Sequence, residues 1–265
     1  MAYTTIDNPE LYFQTKLYTG TGSSNAITLD GSENMQPDWV WIKCRDDSHN
    51  HQVFDSVRGV HKRMRTDTTG AETESSESLK SFDSNGFTVG TQANVNASAS
   101  GDNSFVSWNW LAGGSASSNS NGSITSSVSA NTTAGFSIVS YTGNGVSGAT
   151  IGHGLSTTAP KIVLIKKRSA ADPWTMLNTN IDLQKYLRLD DNTAQVSDPM
   201  FNNTAPTTSV FTVDSDGQVN ENTNTFVAYC FSEVKGYSRF GTYEGNGVAS
   251  GGGPFIYLGF RPAWF

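Results

Sequence analysis

Apolar residues in this chain gather in short runs divided by long stretches of Ser, Thr, Asn, Asp and Gly, and the runs recur. Pro37-Asp38-Trp39-Val40-Trp41-Ile42-Lys43 lies over Pro160-Lys161-Ile162-Val163-Leu164-Ile165-Lys166, with an arginine two places further on in both (Arg45, Arg168). Four consecutive apolar residues closed by Lys and Arg are too few for a helix and predict a strand covered on both faces. Phe105-Val106-Ser107-Trp108-Asn109-Trp110 matches Phe226-Val227-Ala228-Tyr229-Cys230-Phe231, with aromatic rings at the same positions. The last two rings of each run are two residues apart and share one face of a strand. Phe87-Thr88-Val89 and Phe211-Thr212-Val213 predict a further equivalent pair. Helical spacing is scarce. Its best candidate, Ile181 to Leu189, fits a strand equally well beside the Asp190-Asp191-Asn192 turn.

A motif sets the scale of the repetition. Tyr18-Thr19-Gly20-Thr21-Gly22 returns as Tyr141-Thr142-Gly143-Asn144-Gly145 and as Tyr243-Glu244-Gly245-Asn246-Gly247. In each copy a proline follows the tyrosine by nineteen residues: Pro37, Pro160 and Pro262. Constant spacing across differing residues is the mark of repeated folding units. The expected fold is all-β, with tandem antiparallel β-sandwich lobes of jelly-roll, lectin-like type. The expected division is an N-terminal anchor segment over 1–15, a first lobe over 16–112 and a second over 135–242. Residues 113–134, nearly all Gly, Ser, Asn, Ala and Thr, are expected to form a flexible linker, with Ile124 and Val128 docking it along a surface. Residues 243–265 begin a third, incomplete repeat, continuous with the second lobe and expected either to belong to a longer protein or to complete another lobe or subunit.

Charge narrows the partners. Charged residues make up 15% of the chain, below the roughly 25% of ordinary globular domains, so neutral hydrogen-bonding groups dominate the surface. A net charge of −7 argues against nucleic acid, which needs clustered Lys and Arg. The one basic cluster, Arg58, His61, Lys62, Arg63 and Arg65, reads as a solvated loop face, with a docking spot for an acidic partner as the alternative. Cys44 and Cys230 fall at non-equivalent places in the repeats, which predicts two partly buried thiols outside any disulfide and fits synthesis in a reducing cytoplasm. No apolar run approaches the roughly 18 residues of a membrane span, and no secretory leader is expected at the start of the chain.

These residues carry a resemblance. Thr15-Lys16-Leu17-Tyr18-Thr19-Gly20-Thr21-Gly22 within 2–35, Gly135-Phe136-Ser137-Ile138-Val139 and the Gly152-His153-Gly154-Leu155 turn form one pattern with Phe226 to Phe231 and Gly259-Phe260-Arg261-Pro262-Ala263-Trp264. Together they resemble the tail-fibre-like structural proteins of marine bacteriophages, chiefly those of cyanobacteria. The resemblance implies a virion location and concanavalin- or laminin-G-like sandwiches, and it supplies no catalytic residue. It leads us to expect a non-enzymatic fibre or surface-appendage component without a cofactor. Its expected partners are other virion proteins, further copies of the chain and a host-surface glycan. A capsid decoration protein, a glycan-binding receptor module and a surface-polysaccharide hydrolase are the alternatives.

Candidate chemistry is thin. Glu72, Glu74 and Glu77 are the nearest match to a glycanase acid pair, yet they lack apolar alternation and read as a solvated loop. Asp83-Ser84-Asn85-Gly86 and Asp214-Ser215-Asp216-Gly217 resemble parts of calcium loops but lack the full ligand spacing, so hairpin turns explain them better. His49, His51 and His61 have no supporting ligand pattern for zinc, and His153 between two glycines reads as a turn residue bonding nearby backbone. Asn144 and Asn246 are expected to hold turns. Five of the six tryptophans, Trp39, Trp41, Trp108, Trp110 and Trp264, sit in or next to the repeated strands and are expected to pack. Trp174, after Asp172-Pro173, is the tryptophan expected to meet a ligand.

Overall fold

A computed structural model describes residues 4–99, 101, 103–248 and 251–265. The first half contributes β1 (Phe13–Thr19), β2 (Asn25–Thr28), β3 (Trp39–Cys44), β4 (Gln52–Asp55), β5 (Lys62–Arg63), β6 (Thr73–Glu74), β7 (Leu79–Asp83), β8 (Gly86–Val89), α1 (Ala93–Asn96) and β9 (Ser104–Trp110). The second contributes β10 (Ser117–Asn119), β11 (Ser126–Asn131), β12 (Phe136–Thr142), β13 (Ala149–Gly152), β14 (Ile162–Lys167) and β15 (Thr175–Asn178). It continues with β16 (Lys185–Arg188), β17 (Val196–Ser197), β18 (Val210–Val213), α2 (Gly217–Asn220) and β19 (Thr225–Phe231). The fold is all-β and sandwich-like. The segment around Ile181 to Leu189 resolves to strand β16.

Hydrogen bonding runs in the order β1-β9-β3-β4 in the first half and β12-β19-β14-β15 inside the eight-stranded sheet of the second. Each of these pairs is antiparallel. A smaller sheet accompanies each half, β2-β8-β7 in one and β13-β18 in the other, and β5 pairs with β6. Ile27, Val40, Ile42, Phe54, Leu79, Phe87 and Phe105 make the first core. Val139, Ile151, Val163, Ile165, Phe211, Phe226 and Cys230 make the second. A third core lies between the halves, where Trp39, Val53, Met64 and Trp110 meet Phe136, Ile138, Leu164, Trp174, Val227 and Tyr229. This explains why β3 and β14 are apolar on both faces: each four-stranded unit has one face inside its own half and the other in the shared core.

Cys44 lies in the first core and Cys230 in the second, so no disulfide joins them. Burial pushes the Cys230 thiol up to about 12.

The recurring tyrosine motif has a structural cause. Tyr18 stacks on Phe105 at 5.2 Å and donates its hydroxyl to the Val95 carbonyl at 2.7 Å. Tyr141 does the same with Phe226 at 5.2 Å and the Val219 carbonyl at 2.7 Å. The buried asparagine that ends each short helix then holds the loop after the tyrosine. Asn96 Oδ1 accepts from Thr21 N and Asn220 Oδ1 from Asn144 N, both at 2.9 Å. The glycine between has no room for a side chain: a Cβ on Gly20 would sit 1.9 Å from the Ala97 carbonyl oxygen, and one on Gly143 2.3 Å from that of Glu221. Asn220→Ala strands buried backbone groups and is expected to lower the unfolding free energy by about 1–3 kcal/mol in denaturant titration. Asn246→Ala, at the exposed third copy, should change it by less than about 0.5 kcal/mol.

Three expectations need correction. Residues 113–134 are no flexible linker, because β10 and β11 continue the second sheet beyond β12, and Ile124 bridges Ile151. Their small polar side chains suit an outer strand whose backbone is paired, and Val128 and Ile124 join the second core. The 1–15 segment is not a separate anchor: Phe13 to Thr15 open β1, Ile6 is buried, and Met1 to Tyr3 lie outside the described residues. Among the described residues of 243–265 there is no strand, so the third copy keeps the local turn without the pairing.

Candidate interaction surface

The seam between the halves holds most of the unusual chemistry. Trp39 stacks on Tyr229 at 4.6 Å and on Phe136 at 5.7 Å, with Trp110 tilted against it at 4.5 Å. Trp174 also stacks on Tyr229, at 6.3 Å, and donates its indole N–H to the Arg65 carbonyl at 2.7 Å. Trp174 is wholly buried, so the residue expected to meet a ligand is a packing residue of the seam. β15 starts at the next residue, Thr175, and the hydrogen-bond partner Arg65 comes from the other half of the sequence, with no sign of it in the sequence alone.

A buried ionic network continues the seam. The Arg58 guanidinium, with no exposed side-chain surface, binds Asp55 through Nε and Glu72 Oε2 at 3.0 Å. Its remaining N–H groups donate to the carbonyls of Lys62 at 3.1 Å and Val53 at 3.2 Å and to the Tyr229 hydroxyl at 3.4 Å. Tyr229 donates in turn to Asp55 Oδ2 at 2.7 Å. Arg168, from the second half, clamps Glu72 with two bonds of 2.9 and 3.0 Å. Burial works against the Arg58 charge, but Asp55, Tyr229 and Glu72 outweigh it and hold its pKa above the ordinary value. Burial pushes the Glu72 carboxyl up, and Arg168 with Arg58 more than reverses this, leaving it below the usual range.

The backbone crosses the seam as well. Glu72 N donates to the Arg168 carbonyl at 3.0 Å and Asp172 N to the Thr69 carbonyl at 2.9 Å. Lys166 Nζ donates to Thr69 O at 2.8 Å, and burial brings its pKa down to about 8 despite Asp190 and Asp172.

These contacts revise the charged clusters. Arg58 is not part of a solvated face, and Glu72 is not a solvated loop residue, because each neutralises the other inside the seam. Glu74 pairs with Lys62 on the surface, and Glu77 pairs with Lys80 while accepting from Thr91. The three glutamates therefore pair with different cations: Glu72 with Arg58 and Arg168, Glu74 with Lys62 and Glu77 with Lys80. His51 Nδ1 accepts from Trp41 Nε1 at 2.9 Å. Buried His153 takes the Leu155 amide at Nδ1 and bonds the Thr207 carbonyl through Nε2, the backbone-bonding turn role its glycine neighbours suggested. Ser84-Asn85 makes the β7–β8 hairpin turn, whereas Asp216 caps α2 by accepting from Gln218 N at 2.7 Å, so the second aspartate loop is a helix start and not a hairpin. Asn144 and Asn246 both hold turns, accepting from Val146 N at 2.9 Å and Val248 N at 3.1 Å. Among the described residues, no group of three His, Cys, Asp or Glu side chains is placed to hold a metal. Among the described residues, no helix is long and apolar enough to cross a membrane.

Two hollows remain. A shallow one of about 340 Å³ is lined by hydroxyls, among them Ser118, Thr125, Ser127, Ser140 and Thr225. A second of about 570 Å³ lies between Asn180, Glu233 and Arg239 and the apolar Leu258 and Phe260. The more telling surface is apolar. Among the described residues, seven of the ten large apolar side chains left exposed fall in 243–265: Tyr243, Val248, Phe255, Ile256, Tyr257, Trp264 and Phe265. Phe255 is 89% exposed, and Trp264 rests edge-on against Trp110 at 5.5 Å. Composition hid this feature, since Trp39, Tyr141 and other residues of the same types are buried elsewhere in the chain.

The chain belongs to the family described as Domain of unknown function (DUF7483), which matches residues 8–265. No curated protein and no solved structure matches it.

Proposed function

We propose that this member of the DUF7483 family is a non-enzymatic structural part of a phage particle, a component of a fibre or surface appendage. The observation that carries the reading is the concentration of exposed apolar side chains in 243–265, because a patch of that kind on a folded protein marks an association surface. The halves, which we read as duplicated sandwich units, are fused by a shared core and a buried ion network into one stiff body. Stiffness and repetition suit a part that bears load and presents many copies of a weak contact. The resemblance to marine phage fibre-like proteins supplies the location, and the reduced thiols fit synthesis in a bacterial cytoplasm. The partners are neighbouring virion proteins, further copies of the chain and a host-surface glycan. Trp264, half exposed beside Trp41 and Trp110, replaces Trp174 as the ring offered to a sugar face.

Antibody labelling and cryo-EM of purified particles test the reading. It expects density for the chain on a fibre or appendage. Density on the capsid shell would make it a decoration protein, and absence from particles would end the proposal. The double variant Phe255→Ser, Tyr257→Ser should keep its stability within about 0.5 kcal/mol, since both rings are exposed, while losing incorporation into particles.

A further inference from the structure

The two halves treat the same strand edge differently. In the first half, Leu111 N donates to Tyr12 O and Gly20 N to Asn103 O, which fixes the even-numbered backbone groups of β1 toward β9. The N–H and C=O groups of Phe13, Thr15 and Leu17 therefore point away from the sheet. In the second half, Ser232 N to Gly135 O and Gly143 N to Asn224 O fix the matching register of β12 on β19. There the corresponding residues, Phe136, Ile138 and Ser140, are paired with Asn131, Ser129 and Ser127 of β11. No described residue pairs with β1 on that side, because β1 ends the order β1-β9-β3-β4. Thr15, Leu17 and Thr19 are exposed, Leu17 by 56%.

Open edges in native proteins are normally blunted by bulges, proline or a projecting lysine. β1 has no proline and an unbroken register, and its one lysine, Lys16, is drawn aside to Asp30 at 2.8 Å. The strand is also self-complementary. Antiparallel pairing about a two-fold axis at Thr15 sets Phe13 opposite Leu17 of the second copy and Gln14 opposite Lys16 of the second copy. Apolar meets apolar on one face, and no like charges meet on the other.

We propose that two copies of this chain pair through β1, with Thr15 on the two-fold axis, joining their four-stranded sheets into one continuous sheet. The inference deepens the assembly reading above and rests on it. The interface is isologous, so it closes at two copies and leaves 243–265 of each copy for other contacts. β1 receives from the second copy what β12 receives from β11.

Sedimentation velocity of the full chain, with variants at position 15, tests it. Wild type should sediment as a dimer. Thr15→Lys and Thr15→Glu should each be monomeric, because like charges then face one another at the axis, and an equimolar mixture of the two should recover the dimer. Thr15→Pro, which removes an outward N–H and leaves the bonds to β9 in place, should also be monomeric, with circular dichroism confirming the fold. On mild oxidation Thr15→Cys should give a reducible covalent dimer, while Leu17→Cys, set opposite Phe13, should not. A monomeric wild type overturns the inference, and so does a dimer that survives both charge variants or is lost only on changing 254–265. Any of those results leaves the particle labelling to decide the proposed function separately. Absence from particles with an intact β1 dimer would instead remove the function and keep the interface.

Discussion

Arg58→Ala is expected to destabilise the protein by about 3–5 kcal/mol, because it leaves the buried Asp55 carboxylate without its cation and takes one of two cations from Glu72. For a chain of this size that is a fall in melting temperature on the order of 10 °C. The effect exceeds that of a surface pair such as Lys62–Glu74, where water screens the charges. Acid should reveal the same network. The Glu72 carboxyl is held below its ordinary 4.5, so its contribution is fully present above that pH and is lost as pH falls through the lowered folded value. Wild type should therefore lose stability below about pH 4.5, and Arg58→Ala, in which Arg168 still pairs with Glu72, should lose less over the same range. Chemical denaturation across that range measures both.

Trp39→Ala is the second large effect, expected at about 3–5 kcal/mol. Trp39 is almost wholly buried and touches Trp110 in its own half and Phe136 and Tyr229 in the other, so its removal opens a cavity in the core that the halves share. Trp174→Ala should fall in the same range, with the stranded Arg65 carbonyl added to the lost packing. The contrast is Trp264→Ala, which should leave denaturation nearly unchanged. Denaturant titrations of the three variants, followed by intrinsic fluorescence and far-ultraviolet circular dichroism together, separate a core role from a surface one.

The strands that recur were legible because a repeat spells each of them twice. Apolar runs such as Val40 to Ile42 and Val163 to Ile165 declared a strand covered on both faces, and the structure gives them two cores to face. The Tyr-x-Gly-x-Gly ruler was legible as a pattern but not as a mechanism, since its partners, Asn96 and Asn220, lie more than seventy residues away and sit in short polar helices. Residues 113–134 misled because composition reports only side chains. Ser and Asn in an outer strand are held by the backbone of β12, and a backbone pairing leaves no mark on residue type. Arg58 and Glu72 misled for the opposite reason: charged residues in a polar run look solvated unless their partner is known, and Arg168 comes from the other half. The exposed rings of 243–265 had the same residue types as the buried ones, so only the structure separates them.

Hydrogen exchange along the whole chain tests most directly the claim that two halves share one core and act as a single stiff body. The amides of β11, of Glu72 and Asp172 across the seam, and of β9 and β19 should share the protection of global unfolding and exchange in one cooperative step. Rapid exchange throughout 126–131, or separate opening of the two halves with the seam amides unprotected, would contradict it.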